Sequence, residues 1–187
     1  MRRLGRFFIG LLITTCLLRV SQAQNSSNAT AKHVEIASVP ARQEDVSTVD
    51  GIIKASYETG SGLAGQPRQW ARGRTLYVAD VRFTIIMNEN GKSAAQQFTY
   101  QEFADMADPR MVKNGYYESE IHRVTYRYGD WAHIISTTEE RMTPTGPVIG
   151  HWIDNVDLFW DGKRWWITSG TFVEERPNEP LPKEYLP

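Results

Sequence analysis

The stretch VIGHWIDNVDLFWDGKRWWITSGTFVEE, residues 148–175, sets Asp161-Gly162 between two runs of β-branched and aromatic residues and holds four of the six Trp. Asp-Gly in that setting specifies a hairpin, because both central positions of a type I′ turn need φ > 0. Just upstream, residues 117–142 repeat the arrangement around Gly129-Asp130. Long strands joined by tight turns form an antiparallel meander. Whatever precedes them must cover one face of that sheet.

The preceding residues are helical in pattern. From Asp45, Val46, Val49, Ile52, Ile53 and Tyr57 recur at spacings of three and four, which places one apolar stripe on a helix. Ser47 and Asp50 have the spacing of a capping box, and Gly60-Ser61-Gly62 ends the element. A short second helix is expected after Pro67, with Trp70 and Leu76 or Tyr77 inward and Arg68, Arg72 and Arg74 forming a solvated basic face. Residues 81–88 read as a strand, followed by a turn over residues 89–92 and a weaker partner over residues 95–98. Thr99 and Glu102 then form a capping box for a third helix, which Asp108-Pro109 breaks or restarts and Asn114-Gly115 stops.

Side chains alternate along a strand, so the turns divide the meander into two faces. A two-residue turn at Gly129-Asp130 pairs Tyr128 with Trp131. One face then carries His122, Val124, Tyr126, Tyr128, Trp131, His133 and Ile135. The other carries Tyr117, Ser119, Ile121, Arg123 and Thr125 with Ala132, Ile134, Ser136 and Thr138. In the last hairpin Trp152, Asp154, Val156, Leu158 and Trp160 share a face with Lys163, Trp165, Ile167 and Ser169. Joining the Arg123 face to the Asp154 face gives a surface with aromatic walls (Trp152, Trp165, Tyr117) and few polar groups (Arg123, Asp154, Ser136, Thr138), the composition of a small-molecule pocket. An alternative is that Arg123 and Asp154 form a satisfied, partly buried ion pair. The opposite face, with Tyr126, Trp131 and His133, is aromatic enough to imply a homodimer interface.

The N-terminus reads as an export signal over residues 1–23: Arg2, Arg3 and Arg6, an apolar run from Phe7 to Leu18, then Ser21-Gln22-Ala23. The run is too short to cross a bilayer, which takes roughly 20 apolar residues. The sole Cys, Cys16, permits a minority lipid-attachment reading. Cleavage after Ala23 would leave 17 basic and 22 acidic residues, a net charge of −5, so no nucleic-acid or anionic-membrane partner is implied. The expected location is exported, periplasmic or secreted. Residues 24–43 read as a flexible linker, with glycosylation-type matches at Asn25 and Asn28, and residues 176–187 as a Pro-rich tail lying along the surface.

Helix, short helix, strand pair, third helix and a meander ending in Asp161-Gly162-Lys163-Arg164-Trp165-Trp166-Ile167 resembles the nuclear transport factor 2-like (NTF2-like) superfamily, with its SnoaL-like and ketosteroid isomerase-like members. Further carriers are Ile52-Ile53-Lys54-Ala55-Ser56-Tyr57 and Ala79-Asp80-Val81-Arg82-Phe83. The resemblance implies an α+β domain over residues 44–175, a cone with three N-terminal helices packed on a strongly curved antiparallel sheet. By the same resemblance Tyr57 stands where isomerase-like members hold a proton-donating Tyr, and Asp154 lies close to their second acid. The first-strand base position falls near Ile85, which cannot take a proton, so steroid-type isomerisation is disfavoured. Arg123 and Asp154 could form part of the epoxide-hydrolase-like arrangement, in which an Arg bridges two carboxylates. The second carboxylate is missing unless a bulge intervenes.

Three functions follow as expectations. The leading one is a small, largely apolar molecule bound in the concave pocket, with Trp70, Tyr117, Ser136, Trp152 and Trp165 as its lining and no assigned reaction. The second is a general acid/base lyase, isomerase or hydrolase acting through Tyr57, Arg123 and Asp154. The third is a non-catalytic structural or partner-binding module. His122 and His133 fall on the aromatic face, where a hydrogen-bonded structural role suits them better than catalysis. His33, His122, His133 and His151 are scattered, so no metal site is indicated, and no cofactor motif is present.

Overall fold

The computed structural model describes residues 33–89, 92–176 and 178–187. The export, lipid-attachment and glycosylation readings of residues 1–30, and the turn residues Asn90 and Gly91, lie outside the described residues. In chain order the elements are α1 (Gln43–Val46), α2 (Val49–Gly60), α3 (Trp70–Arg74), β1 (Tyr77–Glu89), β2 (Lys92–Phe98), α4 (Tyr100–Asn114), β3 (Tyr117–Tyr128), β4 (Trp131–Arg141), β5 (Val148–Trp160) and β6 (Trp165–Glu174), with a short 3-10 turn at Lys183–Tyr185. The strands form one six-stranded sheet ordered β2-β1-β6-β5-β4-β3.

β3 to β6 are the expected antiparallel meander, and β1 and β2 the expected hairpin. The two join through a parallel pairing of β1 with β6, so the sheet is mixed. That junction gives β6 a partner for a row of N–H and C=O groups it would otherwise expose. The α+β architecture of helices on one sheet is otherwise the one expected.

The apolar stripe predicted from Asp45 is divided between α1 and α2, and Val46, Ile52, Ile53 and Ala55 are all buried. Thr48, one residue beyond the expected Ser47, caps α2 by accepting the Gly51 N–H. These residues pack on Ala132, Ile134, Val156, Leu158, Trp165 and Ile167 of the meander. A second core places Trp70, Val81, Phe83 and Tyr100 against Ala104 and Ala107 of α4. The Thr99/Glu102 capping box forms as read, but Pro109 does not break α4, which runs through it to Asn114. Gly115 then turns the chain at φ 78°, where an added Cβ would stand 2.3 Å from the Met142 carbonyl oxygen.

The three arginines after Pro67 are not a solvated face. Arg72 grips Asp45 through two bonds, Nε at 2.8 Å and Nη2 at 2.6 Å, and reaches Glu58 at 2.9 Å. Arg68 is buried and donates to the carbonyls of Leu63 and Met111. Arg74 donates to the carbonyls of Tyr77, Val78 and Ala79. Each cation therefore ties one chain segment to another.

Two segments outside the regular elements are also held down. The Val34 N–H donates to Asp105 at 2.7 Å, Gln101 donates to the Val34 carbonyl, and Val34 and Ile36 pack on the second core. At the other end Thr137 donates to the Tyr185 carbonyl at 2.5 Å, so the Pro-rich tail crosses the outer side of β4.

Asp45 is only 3 % exposed, so removing its partner strands a buried charge. Arg72→Ala is expected to lower the unfolding free energy by about 3 kcal/mol, read from urea denaturation. A loss under about 0.5 kcal/mol would show that the pair does not hold α1 to α3.

Candidate functional site

The inner face is assembled by cross-strand register. Arg123 lies opposite Ser136, and Ser136 opposite Asp154, so the Arg123 and Asp154 faces are one surface, as the joining of the two hairpins supposed. Counting back from the Gly129-Asp130 turn, the phase of β3 is as read down to His122. There the register shifts: Glu120 pairs with Thr138 while His122 pairs with Thr137, leaving Ile121 as a bulge. The shift places Glu118 and Glu120 on the inner face, in positions the unbroken alternation assigned to Ser119 and Ile121. These are the functional candidates missed in sequence, because nothing local to β3 marks the bulge.

Around this line of residues the polar contacts are dense. The Tyr57 hydroxyl, brought in by α2, donates to Asp154 Oδ2 at 3.2 Å. Asp154 is 1 % exposed and its Oδ1 has no partner among the described residues. Glu118 accepts from Thr138 Oγ1 and from the Tyr116 hydroxyl, both at 2.9 Å. Arg123 does not pair with Asp154. It holds Glu120 through Nε at 2.7 Å and Nη2 at 2.5 Å, reaches Asp50 through Nη1, and Ser136 also donates to Glu120. An Arg between two carboxylates is thus present, with Glu120 and Asp50 as the partners.

Enclosure governs the protonation of the group. Burial pushes the Asp154 carboxyl well above its ordinary 3.8, and the neighbouring Glu118 and Glu120 push the same way against the Tyr57 hydrogen bond. Glu118 is raised above 4.5 by burial and by Glu140, against the bonds from Thr138 and Tyr116. The Tyr57 phenol is raised well above 10 by burial, then by Asp154 and Glu118. Tyr57 therefore keeps its proton at neutral pH and donates it to Asp154, whose own affinity for a proton is raised.

Tyr57 also lines an open cleft of about 1010 Å³ between α2, the loop after it and β3, together with Asp50, Gln69, Glu118, Glu120 and Arg123. Tyr117 stands at its edge beside Gly62, out of phase with Glu118. The remaining residues predicted as lining are not gathered there. Ser136 lies at the buried floor. Trp152 donates its indole N–H to Glu140 at 3.2 Å. Trp70 donates to Asp108 at 2.7 Å within the second core, and Trp165 is in the first core with the Arg127 guanidinium 5.0 Å above its ring. Trp70 and Trp165, read from the sequence as aromatic walls, are structural core, and the cleft is lined by residues of mostly polar or charged type whose carbon stems, with the Tyr57 and Tyr117 rings, face it.

The outer face carries rows of aromatics. Tyr128, Trp131, Phe159 and Trp166 align across four strands, and Tyr126, His133, Asp157 and Ser169 form the next row. Ser169, expected on the inner face, is moved outward by a register shift near Thr168 and donates to Asp157 at 2.9 Å. His133 bonds the same carboxylate at 2.9 Å and stacks on Trp131. His122 lies on the same side, opposite Thr137. Among the described residues no group of three or more His, Cys, Asp or Glu is placed to hold a metal ion.

Helices ahead of β1, one helix between β2 and β3, and a meander whose last strand closes on β1 reproduce the element order from which the resemblance was read. The architecture is α+β, in the element order that the NTF2-like resemblance implies. No family model and no curated protein matches the chain. Among solved structures, an NTF2-like protein of unknown function from Silicibacter pomeroyi DSS-3 is 10% identical, over 69% of this chain and 94% of that one, at a TM-score of 0.46. A candidate ketosteroid isomerase from Parabacteroides distasonis ATCC 8503 is 11% identical, over 70% and 89%, at 0.47. An NTF2-like protein of unknown function from Shewanella baltica OS155 is 12% identical, over 69% and 98%, at 0.43. Likenesses this loose carry no reading of activity.

The raised proton affinity of Asp154 makes the stability of this domain depend on pH. Above 3.8 the unfolded chain gives up a proton that the folded protein keeps, so stability falls as pH rises until the folded-state value is passed. Asp154→Asn is expected to flatten that fall by up to about 1.4 kcal/mol per pH unit. Urea midpoints across acidic and neutral buffers measure it; identical pH slopes would show that Asp154 ionises normally.

Proposed function

We propose that this chain is an exported NTF2-like domain that binds a small molecule in the cleft between α2 and β3. The observation that carries this is the Tyr57–Asp154 pair, in which the enclosed carboxyl leaves Oδ1 without a partner among the described residues while Tyr57 forms part of the open wall of the cleft. Such a pair presents a hydrogen bond to whatever enters. The polar and charged side chains of the lining offer partners to a ligand's polar groups, and the carbon stems and Tyr rings admit its apolar part. Tyr57→Phe removes one hydrogen bond and is expected to weaken binding about tenfold while leaving the fold intact. Fragment binding followed by ligand-observed NMR on the purified chain measures this, and fragments that bind both forms equally would place the site elsewhere.

Acid/base catalysis is the second reading, supported by the same pair and by Arg123 between Glu120 and Asp50. In it Tyr57 passes a proton to substrate and Asp154 restores it. Turnover that survives both Tyr57→Phe and Asp154→Asn would remove it.

The outer face supports a homodimer as the partner of this domain. Tyr128 is 86 % exposed, Tyr126 54 % and Trp131 47 %, in adjoining rows that no part of the described chain covers. An isologous contact between two such faces removes these rings from water. Trp131→Glu is expected to convert a dimer into a monomer in sedimentation velocity. A wild-type protein that sediments as a monomer would exclude this interface.

A further inference from the structure

The charged groups on and around the inner face pair off, and two acids are left over. Arg123 takes Glu120 and Asp50, Arg110 takes Glu140, Arg72 takes Asp45 and Glu58, and Lys54 also takes Glu58. Glu118 and Asp154 have no cation in contact among the described residues. Glu118 receives hydrogen bonds from two neutral hydroxyls, Thr138 and Tyr116. Asp154 receives one, from Tyr57, and leaves Oδ1 buried and unpartnered. An enclosed carboxyl oxygen with no donor is costly, and such orphans are rare in folded proteins. Here the orphan stands behind a residue that lines an open cleft.

We propose that the cleft takes a small organic ammonium ion, its charged nitrogen received between Glu118 and Asp154 beside Tyr57. This rests on the reading of the cleft as a ligand site and names the ligand's chemical class. An ammonium group brings up to three N–H donors and no acceptor, which matches a site made of carboxyl oxygens and a phenolic oxygen. Phenol rings add to the attraction, since their faces are electronegative. A metal ion would need a fuller oxygen shell, and no such group is placed to supply one among the described residues. An anion would find no unpaired cation to receive it among the described residues of the cleft, because Arg123 is already held by Glu120 and Asp50. Arg123 does not repel the cation as a bare charge would, because Glu120 and Asp50 already neutralise it.

Proton linkage follows from the same arrangement. Empty, burial raises the proton affinity of both carboxyls, and no cation in contact among the described residues opposes it; an ammonium ion between them lowers it again. The groups facing them are Tyr57 from α2, Tyr77 from β1, Tyr116, Glu120 and Arg123 from β3 and the residue before it, and Glu140 from β4. Affinity for an ammonium ion therefore rises as the pH is raised, and binding liberates protons.

The test is calorimetry on the full chain with methylammonium, butylammonium and benzylammonium, each beside its alcohol, and with benzoate as the anionic control. At least one ammonium probe is expected to bind, more tightly than its alcohol. Its affinity is expected to fall tenfold or more, about the value of one charge-assisted bond, in Glu118→Gln and in Asp154→Asn. Circular dichroism confirms that both neutral isosteres fold. Proton release, read from the heat in buffers of different ionisation enthalpy, should be lost in the double variant. Alcohols or benzoate binding as tightly as the ammonium ions, with Tyr57→Phe weakening them, would overturn the amine assignment and leave the cleft a ligand site. No probe binding at all would overturn both.

Discussion

A β-strand buries every second side chain, so the property that decides what lies under the helices is its phase. In β3 the phase changes once, at the Ile121 bulge, and the chemistry of the inner face depends on that change. On the Tyr128 side of it the strand contributes Arg123 and Thr125. Beyond it the strand contributes Glu120 and Glu118 where an unbroken strand would place Ser119 and Ile121. A second shift, near Thr168 in β6, sends Ser169 to the outer face and into contact with Asp157. Single-residue insertions thus set which face holds the carboxyls.

Placing acids there has an electrostatic cost that the structure meets in two ways. Where a cation can reach, a pair forms, as with Arg123 and Glu120 or Arg72 and Asp45. Where none does, burial raises the carboxyl's affinity for its proton, as at Asp154. Tyr57 follows the same rule, since burial, and then Asp154 and Glu118, suppress its ionisation.

The two sides of the meander divide the work. The inner side joins an apolar core under α1 and α2 to the polar floor of the cleft, so the helices that complete the core also form its rim. On the outer side the tail lies over Thr137, and the aromatic rows centred on Trp131 and His133 remain in the open. Val34 and Ile36, from the stretch that reads as linker, are laid against the second core by Asp105 and Gln101. Composition alone marked that stretch as polar, and the two apolar residues that dock were too sparse to form a period.

Much of the fold was legible. Period-three-and-four spacing announced α2, Thr99 with Glu102 announced α4, Gly129-Asp130 set the pairing of Tyr128 with Trp131, and Tyr57, Arg123 and Asp154 were singled out before any contact was seen. Even the Asp161-Gly162 loop kept its phase. It spans four residues, so Trp160 pairs with Trp165 instead of Lys163, and a shift of two leaves Trp165 and Ile167 on their expected face. These features are local, and a few adjacent residues suffice to specify them. The Glu118 and Glu120 positions, the partners of Arg72 and Arg123, the parallel junction of β1 with β6 and the burial of Trp70 and Trp165 were not legible. Each depends on residues distant in sequence: a bulge is defined by the strand opposite, an ion pair by which carboxylate arrives within 3 Å, and a core by the volume that several elements leave. The sequence by itself determined the elements, their order and the acid at position 154; the tertiary structure decided which charged groups meet a partner and which, like Asp154, are buried with no cation in contact among the described residues.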